Sequence, residues 1–123
     1  MMLDIKDKED VVVVTLLDVK ILDTAAVAEI GEEFKNLTLQ AAADRKLLLN
    51  FARVQFMASA MIGQIMKLHK ICKRDKVRLK LCCICPNIME VFHVMGLQKV
   101  LDIHDTEQKA LDAFGSRRLG WFR

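Results

Sequence analysis

Three short apolar runs constrain this chain most, because each is too short for a typical helix and each is followed by residues with helical spacing. The runs are "VVVVTLL" (11–17), "KLLLNF" (46–51) and "VRLKLCCIC" (77–85). Nearly continuous aliphatic stretches of this length read as strands buried inside a sheet. The third run alternates at its start. Val77, Leu79, Leu81, Cys83 and Cys85 should point one way and Arg78 and Lys80 the other, which predicts a strand with one partly wet face. Ahead of the first run, "MLDIK" and the polar turn "DKED" predict an edge hairpin.

The helical segments fall between these runs. From Asp23, Val27, Ile30, Phe34 and Leu37 recur at three and four positions. Asp23 is a good N-cap, and Leu22 with Val27 can staple across it. After "ARVQ" and "FMASAMIG", Ile62, Ile65, Met66, His69 and Cys72 share one face of a helix running to about Arg74. Pro86, the only proline, suits the first turn of a helix with the stripe Ile88, Val91, Phe92 and Met95, which Gly96 stops. "KVLDI" is a short strand candidate. "DTEQ" opens the last helix with Asp105 as cap and Gln108 three residues on; Ala110, Leu111 and Phe114 form its apolar face. Strands alternating with helices through short connections imply a mostly parallel sheet with right-handed crossovers.

A chain of 123 residues is one domain's worth. Hydrophobic residues make up 53% and charged residues 28%, a globular balance. Uncharged stretches fall short of the ~20 residues of a bilayer span. The start "MMLDIKDKED" mixes acids and lysines where a secretory signal needs a basic start and an apolar core, so the cytoplasm is the expected location. The formal charge of +3, from 19 basic and 16 acidic residues, is too mild to indicate nucleic acid or anionic lipid. Residues 1–115 are expected to form the domain. The segment "SRRLGWFR" (116–123) reads as a basic, aromatic tail.

Candidate chemistry narrows quickly. Zinc needs four converging ligands, usually in two spaced pairs. "CCIC" supplies no second pair and should split Cys82 from Cys83 and Cys85 across the strand, so no metal is expected and the four cysteines read as reduced structural thiols. A nucleophile at Ser59 or Cys72 would need a base and an orienting group. His69 lies about 15 Å of helix rise from Ser59, and His93 and His104 belong elsewhere. The glycines are scattered singly, with no phosphate loop. No enzyme and no cofactor are expected. Lys67, Lys70, Lys73 and Arg74 form a basic helix face, either solvated or a docking surface for an acidic partner. Ser59 falls at the N-cap or first turn of its helix, where it can cap. A phosphate there would meet the positive helix end with no acid alongside.

The segment "LLLNFARVQFMASAMIGQIMKLHK" resembles the strand, loop and helix of STAS domains of the bacterial anti-sigma factor antagonist type, around a pattern close to Asp-Ser-Ser-Gly-Leu-Gly. "VRLKLCCICPNIMEVFHVMGLQKVLDIHDTEQKAL" resembles that family's next strand, Pro-started helix, Gly-Leu turn, and closing strand and helix. The likeness runs from about residue 9 to residue 114. It implies an α/β STAS-type single domain with a mixed, mostly parallel sheet of four to five strands and about four helices in successive β–α turns. It also implies partner switching. The antagonist binds an anti-sigma factor, commonly a serine kinase, and so frees a sigma factor; the kinase phosphorylates one serine and a serine phosphatase restores it. That serine matches Ser59, and Asn50 matches a position the family fills with Asn or Asp at the partner-facing edge. The implied contact surface is Asn50, Met57, Ala58, Ser59, Ala60, Met61, Gly63 and Lys67. This chain has Ala58 where the family usually has an acid, Ala60 where it has a second serine and Met61 where it has Gly. Ala58 favours the alternative of an unphosphorylated STAS scaffold or self-associating component of a signalling complex. A homodimer stays open, and neither nucleic acid nor membrane is expected as a partner.

Overall fold

The computed structural model describes residues 2–40 and 45–115. The elements run β1 (Leu3–Lys8), β2 (Val11–Leu16), β3 (Lys20–Ile21), α1 (Thr24–Gln40), β4 (Lys46–Asn50), β5 (Phe56–Met57), α2 (Ser59–Arg74), β6 (Arg78–Cys82), α3 (Pro86–Val94), a 3₁₀ turn at Leu97–Lys99, β7 (Ile103–His104) and α4 (Glu107–Ala113). The main sheet has the order β1-β2-β4-β6-β7. β1 pairs antiparallel with β2, and every later neighbour pairs in parallel. This is the mixed, mostly parallel sheet of an α/β fold, with the hairpin at its edge.

Because the strands follow one another in order, each right-handed crossover leaves its helix on the same face. Val27, Ile30 and Phe34 of α1, Met61, Ile62, Ile65 and Leu68 of α2, and Ile88 and Phe92 of α3 bury against Val14, Leu16, Leu47, Leu49 and Leu81. The opposite face carries a smaller cluster, in which Ala110, Leu111 and Phe114 cover Val11, Val13, Leu48 and Cys82. Among the described residues, α4 is therefore the one helix on that side.

Several local expectations change. Asp23 caps α1, its Oδ1 accepting from the Ala25 N–H at 2.8 Å, but Leu22 is exposed and forms no staple. Leu68 takes the core position expected of His69, which is only half-buried. On α3, Val91 and Met95 are exposed, so its core stripe is only Ile88 and Phe92. The last helix is capped one residue later than expected, by Thr106, whose Oγ1 accepts from the Lys109 N–H at 3.1 Å. "KVLDI" forms a 3₁₀ turn and then a shorter strand starting at Ile103. The short ribbon β3–β5 was not foreseen. Residues 116–123, expected as a tail, lie outside the described residues.

The third run departs most. β6 ends at Cys82, and Cys83 takes a left-handed backbone (φ 64°). That turn breaks the alternation, so Cys83 packs on the same cluster as Cys82 while Cys85 packs on the other face. Lys80 is not on a wet face: it is buried, and its Nζ bonds Asp102 Oδ2 and lies 5.1 Å from the Phe114 ring centre. Burial pushes the Cys72 thiol up to about 11, with Asp75 adding to it. Burial likewise pushes Cys82 up, with Cys83 contributing. Both thiols stay protonated at neutral pH, so neither supplies a thiolate.

Candidate functional site

The start of α2 is held in place by a chain of backbone bonds from its neighbours. After β4, the Phe51 N–H donates to Cys82 O at 3.0 Å and the Val54 N–H to Phe51 O at 2.9 Å, while both side chains bury completely. Gln55 and Phe56 N–H groups converge on Val19 O at 2.8 and 3.1 Å, and the Ala58 N–H donates to Ile21 O at 2.8 Å. β5 pairs with β3 through Lys20↔Phe56 and Ile21↔Met57. The loop therefore presents Ser59 from a braced backbone, which limits the ordering entropy that binding must overcome.

Ala58 is the N-cap of α2 (φ −70°, ψ 152°), and it makes no side-chain capping bond. Ser59 is thus the first helical residue rather than the cap. Its side chain is exposed, and its hydroxyl has no hydrogen-bond partner among the described residues. No acid lies in the first turn, while Lys73 and Arg74 occupy the last. Unpaired N–H groups and the positive helix end make this a favourable environment for added negative charge.

The eight residues expected at a contact surface separate into two groups. Ser59, Ala60, Gly63 and Lys67 are exposed on the outer side of α2, with Met57 and Ala58 half-buried beside them. Added at Gly63, a Cβ would meet nothing within 4 Å, so packing does not require a glycine here. Two residues are not on the exposed face. Met61 is fully buried, because it lies on the core side of α2 with Ile65 and Leu68. Asn50 is 8% exposed and both ends of its amide are engaged: Nδ2 donates to Glu107 Oε1 at 2.9 Å, and Oδ1 accepts from the Ala52 N–H at 2.8 Å. In the isolated chain this amide braces the loop. Lys8 Nζ meets Glu107 Oε2 at 2.8 Å, and this bond, with that from Asn50, holds the Glu107 carboxyl below its ordinary range despite partial burial.

Sequence reasoning missed the apolar surface beside this helix start. Apart from Ile5 and Val100, the exposed large hydrophobics among the described residues are Val19, Leu22, Phe56, Val91, Val94 and Met95. A groove of about 170 Å³ lies between β5, α2 and α3, lined by Phe56, Met57, Ile62, Ile88 and Val91 with Gln55 and Asn87. Lys20 Nζ stands 5.6 Å from the Phe56 ring centre. Periodicity could not reveal this, because Val91 and Met95 satisfy a core stripe as well as Ile88 does. Among the described residues no group of three or more metal-ligating side chains converges, and no helix is long and apolar enough to cross a membrane.

The STAS domain family model matches residues 2–110, and the chain belongs to that family. It is similar to an anti-sigma-factor antagonist (STAS) domain protein from Planctomyces limnophilus, at 25% identity over 93% of this chain and 98% of that one, with a TM-score of 0.81. It is also similar to the Bacillus cell fate determinant SpoIIAA in its phosphorylated form, at 25% identity over 90% and 97% of the two chains and a TM-score of 0.67. RsbS of Moorella thermoacetica shares the fold, with 18% identity over 93% and 95% of the chains and a TM-score of 0.76.

Proposed function

We propose that this protein is an anti-sigma factor antagonist that acts by partner switching in the cytoplasm, with the exposed start of α2 as its contact surface and Ser59 as its phosphorylation site. The observation that carries the reading is the exposed, unbonded Ser59 hydroxyl at the first turn of a braced helix. The family membership and the antagonist named in the Planctomyces structure supply the partner class. An anti-sigma factor of the serine kinase type docks on Ser59, Ala60, Gly63 and Lys67. Phosphate on Ser59 is well tolerated by the helix end but must be desolvated when that face is covered, which ejects the partner. A serine phosphatase resets the switch, and no step needs catalysis by this chain.

The test is incubation with an anti-sigma kinase from the same genome and ATP, followed by intact mass and complex formation. One added phosphate, abolished by Ser59→Ala, and loss of the complex on its addition are the expected results. A complex that forms and persists with no phosphate on Ser59 moves the reading to an unphosphorylated scaffold, which the missing acid at Ala58 favours.

A further inference from the structure

The outer face of α1 is acidic apart from Lys35, that of α2 is basic, and the opposite charges are left unpaired among the described residues. Glu29 and Glu32 are exposed on α1, and Lys67, Lys70 and Lys73 are exposed on α2. Although the helices are neighbours, none of these five side chains forms an ion pair among the described residues. Between them runs a groove of about 350 Å³ whose floor includes Ala28, Gly31, Leu68 and Ile71, with Glu32, Lys35 and Lys67 along its rims. The Gln64 side chain reaches across to Gly31, where an added Cβ would lie 2.5 Å from its Oε1.

We propose that this layer is a self-association surface, in which the acidic face of α1 on one copy meets the basic face of α2 on a second copy. A surface acidic on one half and basic on the other is self-complementary under a two-fold axis, since one rotation makes both acid–base contacts at once. The small residues on the floor let the helix pairs approach. A partner of uniform charge would satisfy one half and be repelled by the other, so a second copy fits better than an acidic protein. The same layer includes Gly63 and Lys67. A second copy therefore competes with the partner proposed above, and this last step alone rests on the Ser59 reading.

Sedimentation velocity over a concentration series tests the proposal without any partner, so its failure leaves the Ser59 reading untouched. The wild-type chain is expected to dimerise at low salt, with a Kd that rises about tenfold or more on adding salt, as paired surface charges are screened. Lys67→Glu with Lys70→Glu cancels the basic charge of α2 and places acids where α1 of the second copy is acidic, and Glu29→Lys with Glu32→Lys makes both helices basic, so each double variant alone should be monomeric. An equimolar mixture of the two should dimerise again, as should the chain carrying all four changes. Circular dichroism checks that each variant is folded. A wild-type chain that stays monomeric at low salt overturns the proposal, as does a folded mixture that fails to associate or a double variant that dimerises like wild type.

Discussion

Asn50 Nδ2 donates to Glu107 Oε1 at 2.9 Å, tying the end of β4 to the first turn of α4 across 57 positions of sequence. Since Asn50 Oδ1 also holds the Ala52 N–H, one amide links the helix on one face of the sheet to the loop that leads to Ser59. Glu107→Ala leaves a buried amide donor without its acceptor and should cost about 1–3 kcal/mol. Glu107→Gln keeps an acceptor for Asn50 and should cost less. The pH sign follows from the lowered carboxyl. A group held below its ordinary 4.5 contributes stability above that value and loses it as pH falls through its folded-state value. Asp102 behaves alike: Lys80 and His104 outweigh its burial and hold it below 3.8. Urea midpoints should therefore be insensitive to these groups from neutral pH to about pH 5 and fall below pH 4.5, with a shallower fall in Glu107→Gln.

The C-terminus of α2 closes with a lysine where glycine is the usual choice. Lys76 has φ 60°, and the Val77 N–H donates to Cys72 O at 2.8 Å, the long bond of a Schellman turn. A left-handed backbone costs a residue with a Cβ about 1 kcal/mol. Lys76→Gly should raise stability by about that amount, read as a higher urea midpoint at unchanged slope.

The order of strands and helices along the chain and the mostly parallel sheet were legible because they depend on burial, and burial writes itself as periodicity. What failed was decided elsewhere. Cys83 left the expected face because one left-handed residue ended β6 early, which alternation cannot show. Lys80 is buried because Asp102 and Phe114, distant in sequence, pair with its charge and set a ring face against its Nζ. At the candidate site, position in the chain placed Ser59 and its exposed neighbours at the start of α2. It could not separate Met61, which turns inward one position after Ala60, or Asn50, whose partner lies on another helix. The apolar groove at Phe56 and Val91 was invisible because exposed and buried valines look alike in a pattern.

Ala58 occupies the N-cap of α2 without the side-chain oxygen that such positions favour. Its extended backbone is already the one a capping residue adopts. Ala58→Asp should add a bond to a free N–H of the first turn and place charge at the favourable helix end, for a gain of about 1 kcal/mol. The same substitution restores the acid that the family usually carries before its serine. If kinase recognition depends on that acid, phosphorylation of Ser59 should rise in parallel with stability; a stability gain with no change in phosphorylation would confine the acid's role to capping.

Ser59 itself now separates stability from binding more cleanly than a capping role would. Because it is the first helical residue and its hydroxyl bonds nothing among the described residues, Ser59→Ala removes no cap and should leave stability within about 0.5 kcal/mol of wild type. Ser59→Asp adds a negative charge beside free N–H groups and should gain about 0.3–1 kcal/mol. Partner affinity should move the other way. The alanine variant keeps a neutral face and should bind an anti-sigma partner as wild type does. The aspartate, like a phosphate of nearly two charges, must lose its water when Ala60 and Gly63 are covered, which without a matching cation costs several kcal/mol, or more than a hundredfold in affinity. Melting temperature and Kd measured on both variants distinguish the cases. Equal affinity of the two would mean that Ser59 lies outside the interface, because no face that closes over an unpaired carboxylate can ignore it.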